Sequence, residues 1–257
     1  KSALYRFVPN DRGARPGSLE NGGVLQAARV VGMSRADLIT PQIGDAYRLE
    51  WVTIAEPEKN ARFAPSSLPD VEEVDVISGP FAQAWAAGCL RMSRGEGIEY
   101  SRGQFYIVDT GAGFDGDGRR GRGDGAVWVL DIASMTLRAL FVSGNPLACN
   151  NPDNITVSPR GGVLVCEDGG SSVDEAGIGS RMVALTPQGE CFHFCKNNVV
   201  LDAGPLMAAG KNVAPGDYRG SEFCGACWDP SGRYLFVNIQ TPGITFAITG
   251  PWQRGTL

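Results

Sequence analysis

One pattern recurs three times in the second half of the sequence: a strand-like segment, a tight turn and then an apolar strand. The three copies run over residues 96–109, 153–167 and 224–238. The turns of the second and third copies read Ser-Pro-Arg-Gly and Asp-Pro-Ser-Gly, which supply the residues that tight hairpins need. A supersecondary unit that repeats along a chain indicates a repetitive architecture, whereas a sandwich would not repeat one unit three times.

Each copy is followed by further strand-like segments, which lie at residues 125–131 and 137–142, 181–185 and 190–194, and 243–248. Units of four strands that recur every roughly 55–70 residues are typical of propeller blades with long loops. The 35 glycines and 16 prolines agree with many turns. The sequence therefore predicts an all-β fold, a partial β-propeller in which about three to four four-stranded blades are visible.

The first 90 residues are less regular than the rest. Residues 4–8, 23–31 and 47–52 are candidate strands of a preceding blade, and residues 71–90 read as a helix or a loop excursion. We therefore expect an irregular part with a partial blade over 1–90. We expect three blades over 91–257, with first strands that begin near residues 96, 153 and 224. Closed propellers have four to eight blades, so either this one closes at about four or other blades lie in another segment.

Composition narrows the classes of function. The net charge of −5 argues against nucleic acid as a partner, because a surface that follows phosphates needs clustered Lys and Arg. No apolar run reaches about 18 residues, so we expect no transmembrane helix. The chain opens on a strand-like segment, so we expect a fragment or a processed product whose targeting segment lies upstream.

Several catalytic motifs are excluded by count. His193 is the only histidine, which rules out zinc sites with two or three histidines, and no Gly-x-Ser-x-Gly elbow accompanies it. Asp109-Thr110-Gly111 has the form of an aspartic protease motif, but no second copy exists to share a proton. Cys224 and Cys227 are three apart in a strand pattern, so they should face opposite sides of a sheet. With seven cysteines in all, buried structural thiols are the better expectation.

The repeat offers a better site, because the innermost strands of all blades line one central channel. Acidic, amide and guanidinium side chains stand at equivalent places, at the start of a first strand or the end of a second: Arg94, Glu96, Asp153, Asn154, Glu167, Asp168 and Glu222. An oxygen-rich set without histidine suits a hard cation such as calcium. An arginine beside it suits a phosphate or carboxylate group. The alternative is that these acids are turn-forming or solvated residues.

At these residues the sequence resembles the PhoX-type alkaline phosphatases. The resemblance covers residues 92–252 well and the first 90 residues loosely. The segments that carry it are Arg-Gly-Glu-Gly at 94–97, Asn-Pro-Asp-Asn at 151–154, Val-Cys-Glu-Asp-Gly at 165–169, and the run at 235–252 that ends in Thr-Gly-Pro-Trp.

The resemblance implies an exported propeller phosphomonoesterase that uses iron and calcium ions and acts on a phosphate ester. It implies that Arg94 holds the substrate phosphate and that Glu96 and either Glu167 or Asp168 bind metal. Asp153, Asn154 and Glu222 are further implied metal ligands. By the same resemblance the compartment is the periplasm or the extracellular space, with an organellar lumen as the alternative.

The sequence also departs from the pattern of this family. The family has an N-terminal propeller half that supplies a cysteine ligand to iron and further carboxylates, and nothing in this sequence matches that half. We therefore expect an incomplete site that holds metal poorly. The competing interpretations are a non-catalytic propeller fragment that serves as an accessory or scaffold subunit and, less favoured, a lactonase-type calcium propeller. An open propeller flank also predicts a covering polypeptide, in contact with Tyr5, Phe7, Val8, Phe246 and Ile248.

Overall fold

A computed structural model describes residues 1–70 and 76–257 of the chain. β-Strands dominate it, and the predicted all-β fold class is confirmed. The N-terminal elements are β1 (Tyr5–Pro9), β2 (Gly23–Val30), β3 (Ala46–Thr53), β4 (Arg62–Phe63), β5 (Val76–Ile77) and the helix α1 (Gly79–Ala86). The helix lies within the 71–90 segment for which a helix or loop was predicted, while residues 71–75 of that segment fall outside the described residues.

The first copy of the repeat forms one four-stranded meander. Its strands are β6 (Gly95–Ser101), β7 (Gln104–Asp109), β8 (Ala126–Asp131) and β9 (Thr136–Val142). The meander is not separate from the N-terminal part, because β3 pairs with β9 over Ala46↔Arg138 to Arg48↔Thr136. One seven-stranded sheet results, in the order β1-β2-β3-β9-β8-β7-β6. The pairing gives the backbone groups at the edge of β9 hydrogen-bond partners that an open edge would lack.

The second copy forms a four-stranded sheet in the order β10-β11-β14-β15. Its elements are β10 (Pro152–Val157), β11 (Val163–Glu167), a short hairpin of β12 (Ser172–Asp174) and β13 (Gly177–Gly179), then β14 (Arg181–Leu185) and β15 (Cys191–Lys196). The third copy follows β16 (Val200–Leu201), α2 (Ala203–Ala208) and β17 (Gly216–Asp217). It forms a sheet of three strands, β18 (Phe223–Trp228), β19 (Leu235–Ile239) and β20 (Ile244–Ile248).

The sheets stack face to face through apolar cores. Val163 and Val165 of β11 pack with the first sheet, in a cluster that includes Val108 and Val127. The alternate residues Leu164 and Cys166 pack with the third sheet, in a cluster that includes Leu235, Val237 and Ile239. A strand buried on both faces reads as a continuous apolar run, which is why β11 shows no polar alternation.

The first strands of two neighbouring sheets, β6 and β10, lie very close to each other at Gly97. A Cβ atom at this position would lie 2.4 Å from the carbonyl oxygen of Asp153. Gly97→Ala is therefore expected to lower the free energy of unfolding by about 1–3 kcal/mol, because the backbone of β6 or β10 must shift. Gly116→Ala is the matched control, since nothing lies within 4 Å of its Cβ position. Urea denaturation measures both, and equal stability of the two variants would contradict this packing.

All seven cysteines are free thiols, and Cys89, Cys149 and Cys166 are buried. The expectation that Cys224 and Cys227 face opposite sides of their sheet is wrong. The ladder shifts register between them, so Cys224 pairs with Asn238 and Cys227 pairs with Phe236. Because residues 236 and 238 of β19 share one face, the two cysteines share that face as well.

Candidate phosphate and cation site

Arg94 lies at the centre of the candidate site, immediately before β6. Its Nε donates to Glu96 Oε1 at 3.1 Å, and its Nη2 donates to Asp168 Oδ2 at 2.8 Å. The hydrogen bonds to these two carboxylates, that to Asp168 first, raise the pKa of the guanidinium. The side chain is still 53% exposed. Arg94 is thus a fixed cation that an incoming anion can reach.

The backbone of Arg94 is held by a buried carboxylate. Asp109 at the end of β7 accepts from the Ser93 amide at 3.0 Å and from the Arg94 amide at 2.7 Å. Burial raises the pKa of Asp109 to about 6, although the two amide donors oppose the shift. Asp109 therefore fixes the segment that carries Arg94, and its Asp-Thr-Gly motif has this structural role rather than a protease role.

Two further acids and an amide come to the same place from the second and third sheets. Asn154 donates to Asp153 Oδ2 at 2.9 Å and accepts from the Gly225 amide at 3.2 Å, which joins β10 to β18. Burial raises the pKa of Asp153, and repulsion by Glu96 and Asp168 adds to the shift. Negative charge is therefore concentrated beside Arg94.

Glu222 is the most perturbed of these acids. Burial raises its pKa to about 7, and the neighbouring carboxylates of Asp168 and Asp153 contribute to the shift. Its Oε2 atom is buried and receives no hydrogen bond. Asp168, which interacts with it, is also an acceptor when ionised. A proton or a cation would satisfy this oxygen.

Glu167 does not join the others. Its side chain is fully buried and accepts from Arg181 through both oxygens, Nε–Oε2 at 2.9 Å and Nη2–Oε1 at 2.7 Å. Asp168, the next residue, points to Arg94 instead. The resemblance left open whether Glu167 or Asp168 belongs to the site. In the structure Asp168 lies in the site, whereas the Glu167 side chain points away from it. The other predicted residues, Arg94, Glu96, Asp153, Asn154 and Glu222, are brought together.

Asp109 and Arg181 were not among the predicted site residues. Asp109 and Glu167 occupy the same place in the repeat, at the end of the second strand. Each accepts backbone amides that precede the first strand of its own sheet, Ser93 and Arg94 in one case and Asn150 in the other. The sequence repeat could have indicated these residues, because Asp109 and Glu167 stand at equivalent positions in two copies of it. Acids at equivalent positions of a repeat suggest a shared structural role.

A polar cavity of about 350 Å³ opens beside Asp168 and Glu222. Ser221, Gln240 and Thr241 contribute to its wall. Ser221 Oγ accepts from the Thr241 amide at 2.8 Å, so its hydroxyl hydrogen is available to a ligand. The cavity gives a small polar molecule access to the acids of the site.

The donor chemistry decides which ion suits the site. Asp153, Asp168 and Glu222 offer carboxylate oxygens, which fit a hard cation such as calcium, and the unbonded Glu222 Oε2 fits the same role. Over residues 1–70 and 76–257, no three His, Cys, Asp or Glu side chains are already arranged as a metal-binding group. Cys224 interacts electrostatically with Glu222, but burial raises the pKa of its thiol. The described part of the site offers no imidazole, and its donors are mainly carboxylate and amide oxygens, which favour a hard cation.

Stacked antiparallel sheets with an exposed arginine and several acids at their junction are typical of a propeller-type protein. The family model described as alkaline phosphatase PhoX matches residues 1–243, so the chain belongs to this family and the resemblance seen in the sequence is confirmed. A solved structure, Pseudomonas fluorescens PhoX in complex with vanadate, a transition state analogue, matches with a TM-score of 0.56 and 23% identity. That match covers 93% of this chain and 44% of the Pseudomonas chain, and it shows a shared fold. No curated protein matches the sequence.

Proposed function

We propose that this chain binds the phosphate group of a phosphate monoester and contributes to its metal-dependent hydrolysis. One observation carries the proposal: an exposed arginine, Arg94, is held between carboxylates that come from separate sheets, in a chain of the PhoX family. The chain spans less than half the length of the Pseudomonas structure that it matches. Phosphatase activity is therefore proposed for the site, with calcium as its cation.

In this proposal the arginine binds the phosphate group and the carboxylates bind the cation. Arg94 presents a planar fork of donors that pairs with two phosphate oxygens, in exchange for its contacts with Glu96 and Asp168. Asp168, Glu222 and Asp153 would hold the cation, with the Asn154 amide oriented beside them. When bound, the cation neutralises negative charge on the phosphate group, which is the usual electrostatic contribution to phosphate transfer. Asp109 keeps the Arg94 backbone in place during exchange.

Calcium is expected to stabilise the wild-type chain against heat, more at about pH 8 than at about pH 5, because a ligand that binds only the folded state shifts the unfolding equilibrium. The pH dependence follows from Glu222. Its pKa is raised from 4.5 to about 7 in the folded chain, so stability falls as pH rises between these values and the penalty is complete above the upper one. A cation removes this penalty by neutralising the carboxylate.

Glu222→Gln tests the assignment. Without calcium the variant should be more stable than wild type by about 1 kcal/mol at about pH 8 and equal to it at low pH. Asp109, whose pKa is also raised, titrates in both proteins and cancels from the comparison. Calcium should raise the melting temperature of wild type but not of Glu222→Gln. Equal calcium shifts in the two proteins would place the cation elsewhere.

A second candidate function is that of a non-catalytic propeller subunit. It is favoured by the outer face of the third sheet, where Cys227, Phe236 and Ala247 form one exposed row across three strands. Tyr234 is also exposed, and it packs against Phe236 at a centroid distance of 6.4 Å. A propeller covers such a face with its next blade. We propose that another polypeptide segment covers it here.

The same proposal applies to the first and last strands, where the sequence predicts contact with a covering polypeptide. Phe7 and Phe246 are exposed, whereas Tyr5, Val8 and Ile248 are partly buried within the chain. We expect the isolated chain to self-associate through its open faces, as measured by size-exclusion chromatography with light scattering. Phe236→Ser should reduce association, and Ser134→Ala on an exposed turn is the control. A stable monomer would contradict the need for a cover.

Across the described residues, no helix is both long and apolar enough to span a membrane. Export, which membership of the PhoX family favours, remains a proposal for this chain.

A further inference from the structure

Arg181 and Glu167 form an ion pair inside the second sheet, at the start of β14 and the end of β11. Both side chains are at most 1% exposed. Two hydrogen bonds of 2.9 and 2.7 Å join them in a bidentate arrangement. Removing two charges from water carries a large desolvation cost, and apolar residues often replace such a pair without loss of stability. A fixed geometry is what an ion pair adds over an apolar pair.

The pair holds the loop that precedes β10. Arg181 donates to the carbonyl of Pro146 at 2.6 Å and to that of Leu147 at 3.0 Å. Glu167 Oε1 accepts from the Asn150 amide at 2.7 Å. One buried pair therefore fixes both ends of the segment from residue 146 to residue 150.

This segment leads directly to the site. The Asn151 carbonyl accepts from the Asp168 amide at 2.8 Å, and the Asn151 side chain donates to the Thr110 carbonyl at 2.8 Å. Asp168 Oδ2 in turn accepts from Arg94 at 2.8 Å. A continuous chain of contacts thus runs from the buried pair to the exposed guanidinium.

We propose that Arg181 and Glu167 are positioning residues that fix Asp168 and, through it, the orientation of the Arg94 guanidinium. The inference rests on the proposed function in giving Arg94 the phosphate as its ligand. Glu167 thus serves the site through its neighbour, although its own carboxylate never reaches the cavity. A shift of the Asn150–Asn151 link would move Asp168 away from Arg94 and leave the guanidinium free to rotate.

The test measures Arg94 directly, in the ligand-free chain. Nuclear magnetic resonance of the labelled guanidinium gives the rate of rotation about its Nε–Cζ bond, which requires the Nη2–Asp168 contact to break. In Arg181→Lys and in Glu167→Gln this rotation should be about two- to fivefold faster, the change expected from loss of a partly exposed ion pair. Leu137→Ala, a core truncation in the first sheet, is the control for lost stability and should leave the rate unchanged.

A rate that stays at the wild-type value in the folded variants would overturn the inference, and so would an equal acceleration in Leu137→Ala. If Arg181→Lys does not fold, Glu167→Gln decides, because it keeps the shape of the side chain. A titration of the wild type with inorganic phosphate separates the two proposals. Failure to bind phosphate would refute the proposed function, while the rotation rate would still decide the positioning role.

Discussion

Glu167→Met is expected to lower the free energy of unfolding by about 3–5 kcal/mol, because it leaves the Arg181 guanidinium buried without its counter-charge. The carbonyls of Pro146 and Leu147 still accept from the guanidinium but carry no charge. Asp174 lies 3.5 Å from Nη1 and compensates weakly. Urea denaturation measures the loss.

The double variant Glu167→Met with Arg181→Met should recover roughly half of this loss, since no charge is then buried. Recovery is incomplete because the carbonyls of Pro146 and Leu147 also lose a donor. A single variant that costs less than about 1 kcal/mol would show that the pair is hydrated and screened in solution. A double variant less stable than the single one would contradict the electrostatic explanation.

Arg94→Gln is expected to weaken binding of inorganic phosphate by roughly 10- to 100-fold, which corresponds to the loss of charge-assisted hydrogen bonds. Isothermal titration calorimetry with calcium present measures the affinity. Arg138→Gln is the matched control, because Arg138 is an exposed arginine on β9 that contributes nothing to the site. An equal loss in both variants would indicate a general effect of net charge, and unchanged affinity in Arg94→Gln would remove Arg94 from the phosphate site.

The repeated strand–turn–strand pattern in the sequence was sufficient to predict the all-β fold class. The first strands of the three sheets begin at Gly95, Pro152 and Phe223, where strand-like segments followed by Gly-containing turns indicated them. The fusion of the first sheet with the N-terminal part had no such signal. Ala46 pairs with Arg138 across about 90 residues of chain, and nothing local to either segment specifies that contact.

The choice between Glu167 and Asp168 shows a second limit. Neighbouring strand residues point to opposite faces, so knowing which face of β11 is buried would have separated them. Both faces are buried, since Leu164, Val165 and Cys166 all pack in cores, and the sequence therefore shows no alternation from which to read the phase. The faces of Cys224 and Cys227 were misjudged for a related reason. Gly225 adopts a φ of +60° within a bulge, which resets the alternation.

We propose that Arg94 and the acids beside it bind a phosphate group together with a cation. A crystal structure of the chain with vanadate and calcium tests it most directly, because vanadate mimics phosphate in transfer and calcium suits carboxylate oxygens. We expect vanadate within hydrogen-bond distance of the Arg94 guanidinium and calcium in contact with Asp168 and Glu222. Vanadate bound away from Arg94, or a site that stays empty of both while Arg94 keeps its contacts with Glu96 and Asp168, would contradict it.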